Sequence, residues 1–217
     1  MRVEIYSYRF SEEILQHKKY KHIYDELITI CKDCPIAIYP GKSKKQDNLN
    51  VIQQILNTYF SLRFTDLGWI SEPNATPDSY EDGLRSDFRK TFSINSNENL
   101  TVQIEIEFGN SASSYRNYFK FQLSYSNNLT DICILIVPSY NLAKRIDSGV
   151  ANFEKIIREI PSAKLSITVP ILVIGLFDDG NSWNVKEIEE DLNILKGSKK
   201  IHTKKHEKIV RDYVNKL

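Results

Sequence analysis

Two glutamates on one short segment carry the strongest chemical signal in the chain. Within residues 100–110, apolar side chains alternate with Gln103, Glu105 and Glu107. Alternation with a period of two is typical of a β-strand, so these three polar side chains are expected to share one face. At a rise of about 3.3 Å per residue, the Cα atoms of the two glutamates would lie roughly 6.6 Å apart, within reach of one ion.

A third carboxylate precedes a second strand-like segment. Asp87 stands immediately before residues 88–94, and the polar residues 95–99 predict a turn. The two segments would then form a hairpin that brings Asp87 close to Glu105 and Glu107. Three hard oxygen ligands of this kind suit Mg²⁺, which prefers carboxylates and keeps several waters.

The same alternation also fits a strand with a solvated outer face. Neighbouring like charges on one face repel each other, however, and a purely structural strand has reason to avoid them. From the pattern alone the solvated strand is the commoner interpretation, and a metal site is the alternative.

The arrangement Asp87 … Glu105-Ile-Glu107 resembles the Asp … Glu-X-(Lys/Gln/Glu) signature of the PD-(D/E)XK nucleases. The wider context is similar to the BglII/BstYI group of type II restriction endonucleases. The similarity covers most of residues 1–177 and follows the same order of segments. These segments are Met1–Ser7, Asn50–Phe60, Leu67–Trp69, Asp87–Phe88, Ile104–Asn110 and Pro170–Leu176.

The resemblance implies an α/β fold with a mixed central sheet flanked by helices, and one endonuclease domain over residues 1–217. It implies a type II restriction endonuclease that uses Mg²⁺ to cut both strands of a short palindromic DNA site. Asp87, Glu105 and Glu107 would be both the metal ligands and catalytic residues. Glu107 would either bind the metal or deprotonate the attacking water, and Asn110 would orient that water.

The chain departs from the group's pattern in two places. Glu107 stands where the BglII group has glutamine and resembles the Glu-X-Glu of the BamHI type, so the identity of the general base stays open. A longer polar insert, residues 91–100, separates Asp87 from Glu105. Asp82 therefore stays an alternative to Asp87 as the upstream ligand.

Lysines on one loop are the best candidates for DNA contact. The net charge of +1 is not that of a general nucleic-acid binder, so the distribution of charge matters more than its total. The segment Gly41–Gln46 carries Lys42, Lys44 and Lys45 just before a predicted helix, and we expect these side chains to contact phosphates. The segment lacks the spacing of a nucleotide-binding P-loop.

A palindromic duplex has two equivalent strands related by a two-fold axis, so the restriction-enzyme interpretation implies a homodimer bound to double-stranded DNA. A non-catalytic DNA-binding module and a structure-specific or repair nuclease on the same fold are the alternatives. No apolar run approaches the roughly 20 residues of a membrane span, and no signal peptide begins the chain, which predicts a cytoplasmic protein.

Hydrophobic periodicity predicts an alternation of helices and strands that fits a mixed sheet between helices. A first helix is predicted over residues 11–30 with Ser11 as its N-cap, and Asp47 is predicted to cap a second helix. Two apolar strands, 132–137 and 169–176, are predicted to be buried on both faces. Further helices are predicted over residues 113–125, 150–160, 185–195 and 204–217.

Overall fold

A six-stranded mixed sheet lies at the centre of the computed structural model, which describes residues 1–77, 83–164 and 166–217. The strands of these residues are β1 (Arg2–Tyr8), β2 (Ile36–Ile38), β3 (Ile70–Ser71), β4 (Phe88–Asn95), β5 (Glu98–Ile106), β6 (Ile132–Pro138), β7 (Ile171–Phe177) and β8 (Ser182–Asn184). The central sheet has the order β1-β7-β6-β5-β4-β3, while β2 and β8 form a small parallel pair. Strands β5, β6 and β7 are parallel, and β1, β4 and β3 add antiparallel flanks.

Helices cover both faces of the central sheet, which confirms the predicted α/β class. The helices are α1 (Ser11–Gln16), α2 (Lys21–Asp33), α3 (Gln53–Asp66), α4 (Ser111–Ser126), α5 (Tyr140–Ile146), α6 (Phe153–Glu159), α7 (Leu192–Leu195) and α8 (Lys200–Val214). Side chains of α2, α3 and α8 contribute to one apolar core, and side chains of α4 and α6 contribute to the other. Within the part of the chain described, no helix combines the length and apolar character that a bilayer crossing requires.

Strand β6 shows why the sequence predicts burial on both faces. Ile132, Ile134 and Ile136 belong to the core under α2, α3 and α8, while the residues between them belong to the core under α4 and α6. Every residue of β6 is buried. Both faces of β6 pack against apolar side chains that offer no polar partner, so its sequence is a continuous apolar run.

The predicted hairpin is confirmed and sets the position of the acidic residues. Strands β4 and β5 are antiparallel, with Phe88 opposite Ile104. Asp87 immediately precedes β4, so continuing this register places it across from Glu105. The turn at residues 96–97 is tighter than predicted, and the ladder shifts register between Ser93 and Asn95.

Helix α4 provides the crossover that two adjacent parallel strands require. It starts five residues after β5 ends and leads back to the start of β6. Asn110 caps the helix by accepting a hydrogen bond from the Ala112 amide at 2.9 Å. The helix therefore begins directly beyond the two glutamates and runs back along their strand.

The single helix predicted over residues 11–30 is wrong. The chain leaves helical geometry at His17, whose ψ is 141°, and resumes it at Lys21. Ser11 is not the N-cap, because its buried hydroxyl donates to the Ile171 carbonyl of β7 at 2.8 Å. Phe10 takes the cap position in a left-handed conformation with φ of 61°.

Two other helix predictions are wrong in their bounds. The second helix begins at Gln53 with Ile52, not Asp47, in the N-cap position, and residues 47–52 precede the helix. The helix predicted over residues 185–195 is divided into a 3₁₀ turn and the short α7. Asp191 explains the division, because its side chain caps α7 by accepting from the Asn193 amide at 2.8 Å.

Candidate active site

The polar face of β5 is buried, contrary to the interpretation of a solvated outer face. Gln103, Glu105 and Glu107 are 0%, 1% and 8% exposed. Buried polar groups need partners, and isolated buried charges are costly. The residues that cover this face therefore determine the charge state and the hydrogen bonds of the two glutamates.

Helix α4 supplies a matching stripe of polar side chains. Asn117, Lys120 and Ser124 follow the i, i+3, i+7 spacing that places residues on one helix face. Asn117 contacts Glu107, and Lys120 contacts Glu105. The two sets of side chains can pair because their spacings are similar: one helical turn rises about 5.4 Å, and alternate strand residues lie roughly 6.6 Å apart.

Ser124 of α4 and Gln103 of β5 are linked by Arg89 of β4, which donates hydrogen bonds to both side chains. The Arg89 Nη2 group donates to Ser124 Oγ at 3.2 Å and to Gln103 Oε1 at 2.9 Å. It also donates to the Asn74 carbonyl at 2.9 Å. The Arg89 guanidinium is therefore a second positive side chain, besides Lys120, on the face of the sheet that carries the glutamates. It lies beside Gln103, two residues before Glu105.

Glu105 is the most deeply buried carboxylate of the site. Its Oε2 atom forms an ion pair with Lys120 Nζ, which also donates to the Arg85 carbonyl at 3.2 Å. Its Oε1 atom is buried and has no hydrogen-bond partner among the described residues. Burial, with a further contribution from Asp87, raises the pKa of Glu105 to about 8, and the neighbouring Lys120 only partly offsets this rise.

Asp87 lies beside Glu105 at the edge of a small cleft. Its Oδ2 atom accepts a hydrogen bond from the Ile106 amide at 2.7 Å. Burial raises the pKa of Asp87, while the Ile106 amide and Lys120 act in the opposite direction. The cleft has a volume of about 300 Å³, and Asp87 lines it together with Glu72 and Ile106. Asp82, the alternative ligand, is outside the described residues.

Glu107 is turned toward the loop that follows its own strand. Its Oε1 atom accepts from the Gly109 amide at 2.8 Å, and its Oε2 atom accepts from Asn117 Nδ2 at 3.1 Å. A Cβ atom at position 109 would lie 2.8 Å from Glu107 Oε1, so glycine leaves room for this conformation. Burial raises the pKa of Glu107, and the two hydrogen bonds lower it.

A model of the restriction endonuclease BglII/BglIII family matches residues 3–176. The chain belongs to this family. It is accordingly a type II restriction endonuclease, a site-specific deoxyribonuclease, as the motif and its flanking segments predict. No curated protein sequence matches the chain.

Two solved structures support the restriction-endonuclease fold. A crystal structure of restriction endonuclease BglII complexed with a DNA 16-mer aligns with a TM-score of 0.66 and 16% identity, covering 82% of this chain and 79% of that one. A crystal structure of free BglII aligns with a TM-score of 0.55 and 16% identity, covering 82% and 81%. At this identity the likeness concerns the fold.

Asn110 lies at the edge of the site in this member of the BglII/BglIII family. Its side-chain oxygen caps α4, and its backbone pairs with Val150. The next residue, Ser111, donates from its hydroxyl to the Gly149 carbonyl at 2.9 Å. Ser111 and Gly149 also line a groove of about 530 Å³ that reaches the loop before α3.

The three lysines of that loop differ in their surroundings. Lys42 is half-buried, and its Nζ group donates to the carbonyls of Val51 and Ile146 at 2.6 and 2.7 Å. Lys44 and Lys45 are exposed. Lys42 therefore holds the loop against the body of the protein, whereas the other two extend from it. The groove beside Ser111 is also lined by Gln46 and Asn48 from this loop, which places the loop near the start of α4.

The sequence interpretation missed Lys120, Asn117 and Arg89. The polar residues at positions 117, 120 and 124 were a usable signal, because they share a helix face while Tyr118 and Phe121 pack in the core. To recognise their partners, one would need to know which face of α4 packs against the polar face of β5. That orientation depends on the crossover between the two elements and cannot be obtained from either segment alone.

Proposed function

We propose that residues 1–217 form one endonuclease domain that cuts both strands of a short palindromic site in double-stranded DNA, using Mg²⁺. The observation that carries this proposal is the pair formed by Asp87 and Glu105, with a buried Glu105 oxygen that has no partner among the described residues. The related BglII structure contains a DNA 16-mer, which supports duplex DNA as the substrate.

The donor set fits a hard divalent cation. Asp87 and Glu105 offer carboxylate oxygens, and the raised pKa of each reflects a buried negative charge that a cation would compensate. In the described part of the chain, no three acidic, histidine or cysteine side chains already converge as a metal cluster. Our proposal therefore assigns Asp87 and Glu105 as the primary ligands, while Glu107 joins them only by releasing a bond to Gly109 or Asn117.

Bound there, Mg²⁺ would activate water and stabilise the charge that develops on the phosphate. The chain's own residues prepare the site for this chemistry. Ile106 holds Asp87 through its amide, and Asn117 holds Glu107 on the same strand face. Glu107 would act as ligand or general base, and Asn110 would orient the attacking water from the start of α4.

A homodimer is part of the proposal, because one site cuts one strand and a palindrome presents two. The outer face of α4 supports it. Tyr115 and Phe119, one turn apart on this helix, are 52% and 59% exposed. Large exposed aromatic side chains are typical of protein interfaces.

Discrete products distinguish this proposal from its alternatives. With phage DNA and Mg²⁺, the protein should produce a fixed set of bands, and EDTA should abolish them. A structure-specific or repair nuclease would give nicks, smears or cuts only at junctions. Duplex binding without cleavage would instead favour the non-catalytic DNA-binding module and contradict the proposal.

The lysine loop gives a second prediction. The double substitution Lys44→Ala and Lys45→Ala should weaken duplex binding and reduce the salt slope by roughly 2, because each lost phosphate contact removes about 0.9. Lys42→Ala should instead lower the stability by about 2 kcal/mol, since it removes charged hydrogen bonds to two carbonyls. Binding isotherms across salt concentrations and thermal unfolding measure the two effects.

Lys204→Ala with Lys208→Ala is the matched control for this experiment. Both residues are exposed on α8, which packs on the opposite face of the sheet from α4. Removing them changes the net charge by the same amount. An equal loss of salt slope in both double variants would mean that the loop has no specific role.

A further inference from the structure

Lys120 is a buried lysine in the middle of the acidic site. Its side chain is 8% exposed, and its ammonium group contacts Glu105 Oε2 and the Arg85 carbonyl. Holding an ammonium group away from water is costly unless it is paired and hydrogen-bonded. The pairing with Glu105 meets that requirement and orients both side chains.

The two carboxylate oxygens of Glu105 differ in their hydrogen-bond partners. Lys120 occupies Oε2, while Oε1 is buried without a hydrogen-bond partner in the described part of the chain. The Ser86 hydroxyl is near enough to lower the pKa of Glu105, yet it too is buried without a hydrogen bond to the described residues. An unsatisfied buried carboxylate oxygen is unfavourable, and a bound cation would satisfy it.

We propose that Lys120 is a positioning residue for cation binding: it holds Glu105 by Oε2 so that Oε1 is presented to the metal. This inference rests on the proposed function, because it concerns the same metal site. Lys120 acts through Glu105 and not on the substrate. The helix stripe that carries Lys120 is thereby part of the active site.

A second lysine–glutamate pair offers a matched comparison on the other face of the hairpin. Lys90 Nζ lies 3.5 Å from Glu26 Oε1, and both side chains are largely buried. The same Glu26 oxygen accepts a hydrogen bond from Trp69 Nε1 at 2.9 Å. Lys90→Met thus removes a pair of the same type without touching the acidic site.

The test is the affinity for Ca²⁺ alone, measured by calorimetry and by thermal unfolding, with Lys120→Met, Lys120→Arg and Lys90→Met compared with the natural protein. Loss of a residue that orients a metal ligand typically weakens metal binding roughly 10- to 100-fold, which is the decrease expected for Lys120→Met. Lys120→Arg keeps a charged donor and should stay within a few-fold. Lys90→Met should lower the melting temperature and leave Ca²⁺ affinity unchanged.

Two results would overturn the inference. Tighter Ca²⁺ binding by Lys120→Met would show that the lysine competes with the cation for Glu105. Unchanged Ca²⁺ affinity with a lower melting temperature would show a structural ion pair only. If Lys120→Met does not fold, Lys120→Gln takes its place, because the amide keeps a donor but removes the charge.

Cleavage by the natural protein separates this inference from the proposed function. If the natural protein cuts DNA in Mg²⁺ but Lys120→Met and Lys120→Gln bind Ca²⁺ normally, only the role of Lys120 fails. If the natural protein shows no divalent-dependent cleavage, the proposed function fails. The two failures are therefore distinguishable in one set of proteins.

Discussion

Glu105→Ala is expected to reduce DNA cleavage in Mg²⁺ by roughly a thousandfold or more while the protein keeps its fold. The substitution removes a proposed metal ligand, and a bound metal supplies several kcal/mol of charge stabilisation in the transition state. Asp87→Asn should have a similar effect, because it removes the neighbouring carboxylate. Rates of plasmid cleavage, with circular dichroism to establish folding, measure the result.

Glu98→Ala is the matched control for this experiment. Glu98 stands at the other end of β5, where it pairs with Lys19 at 2.8 Å and accepts a hydrogen bond from Tyr20. Its loss should affect stability slightly and leave the cleavage rate near that of the natural protein. Full cleavage by folded Glu105→Ala protein would remove Glu105 from the active site.

The hairpin and the buried strands followed from local pattern because their signals lie within a few consecutive residues. Alternation in β5, a polar turn and the continuous apolar run of β6 each depend on a short-range period. The family motif added the position of Asp87, which the register of β4 and β5 supports. These features did not require knowledge of the rest of the fold.

The features that were missed depend on contacts between distant segments. Ser11 was expected to cap a helix, but its hydroxyl bonds to Ile171, 160 positions away. That α4 covers the polar face of β5, where Asn117 donates a hydrogen bond to Glu107, was also not predicted from the sequence. For Ser11, a tertiary hydrogen bond outweighs the local preference.

Lys120 is the most informative of these differences. Considered along the sequence, it is one lysine in a helix of mixed composition, 15 residues after Glu105. Only the packing of α4 on β5 gives it a partner. The chain therefore encodes its acidic site in two segments, and the motif strand alone describes half of it.

In the metal-free protein, the contribution of Glu105 to stability is expected to be lost as the pH rises from 5 to 8.5. The pKa of Glu105 in the folded protein is raised to about 8, from an ordinary value of 4.5. Because the folded pKa is the higher one, the folded state binds this proton more tightly than the unfolded chain does. The stabilising contribution is complete below the ordinary value and is lost as the pH rises through 8.

Glu105→Gln isolates this effect, because the amide has the same shape and no charge to titrate. Each pKa unit corresponds to about 1.4 kcal/mol, so the melting temperature of the natural protein in EDTA should fall by at least roughly 5 °C relative to the variant. Titrating groups remote from the site act alike in both proteins and cancel in the difference, whereas Asp87 and Lys120 interact with Glu105 and contribute to the measured effect. Adding Ca²⁺ at pH 8.5 should raise the melting temperature of the natural protein and have much less effect on Glu105→Gln, since a cation compensates only the charged carboxylate. Parallel curves for the two proteins, with equal gains from Ca²⁺, would mean that Glu105 neither carries a destabilising charge nor binds the cation.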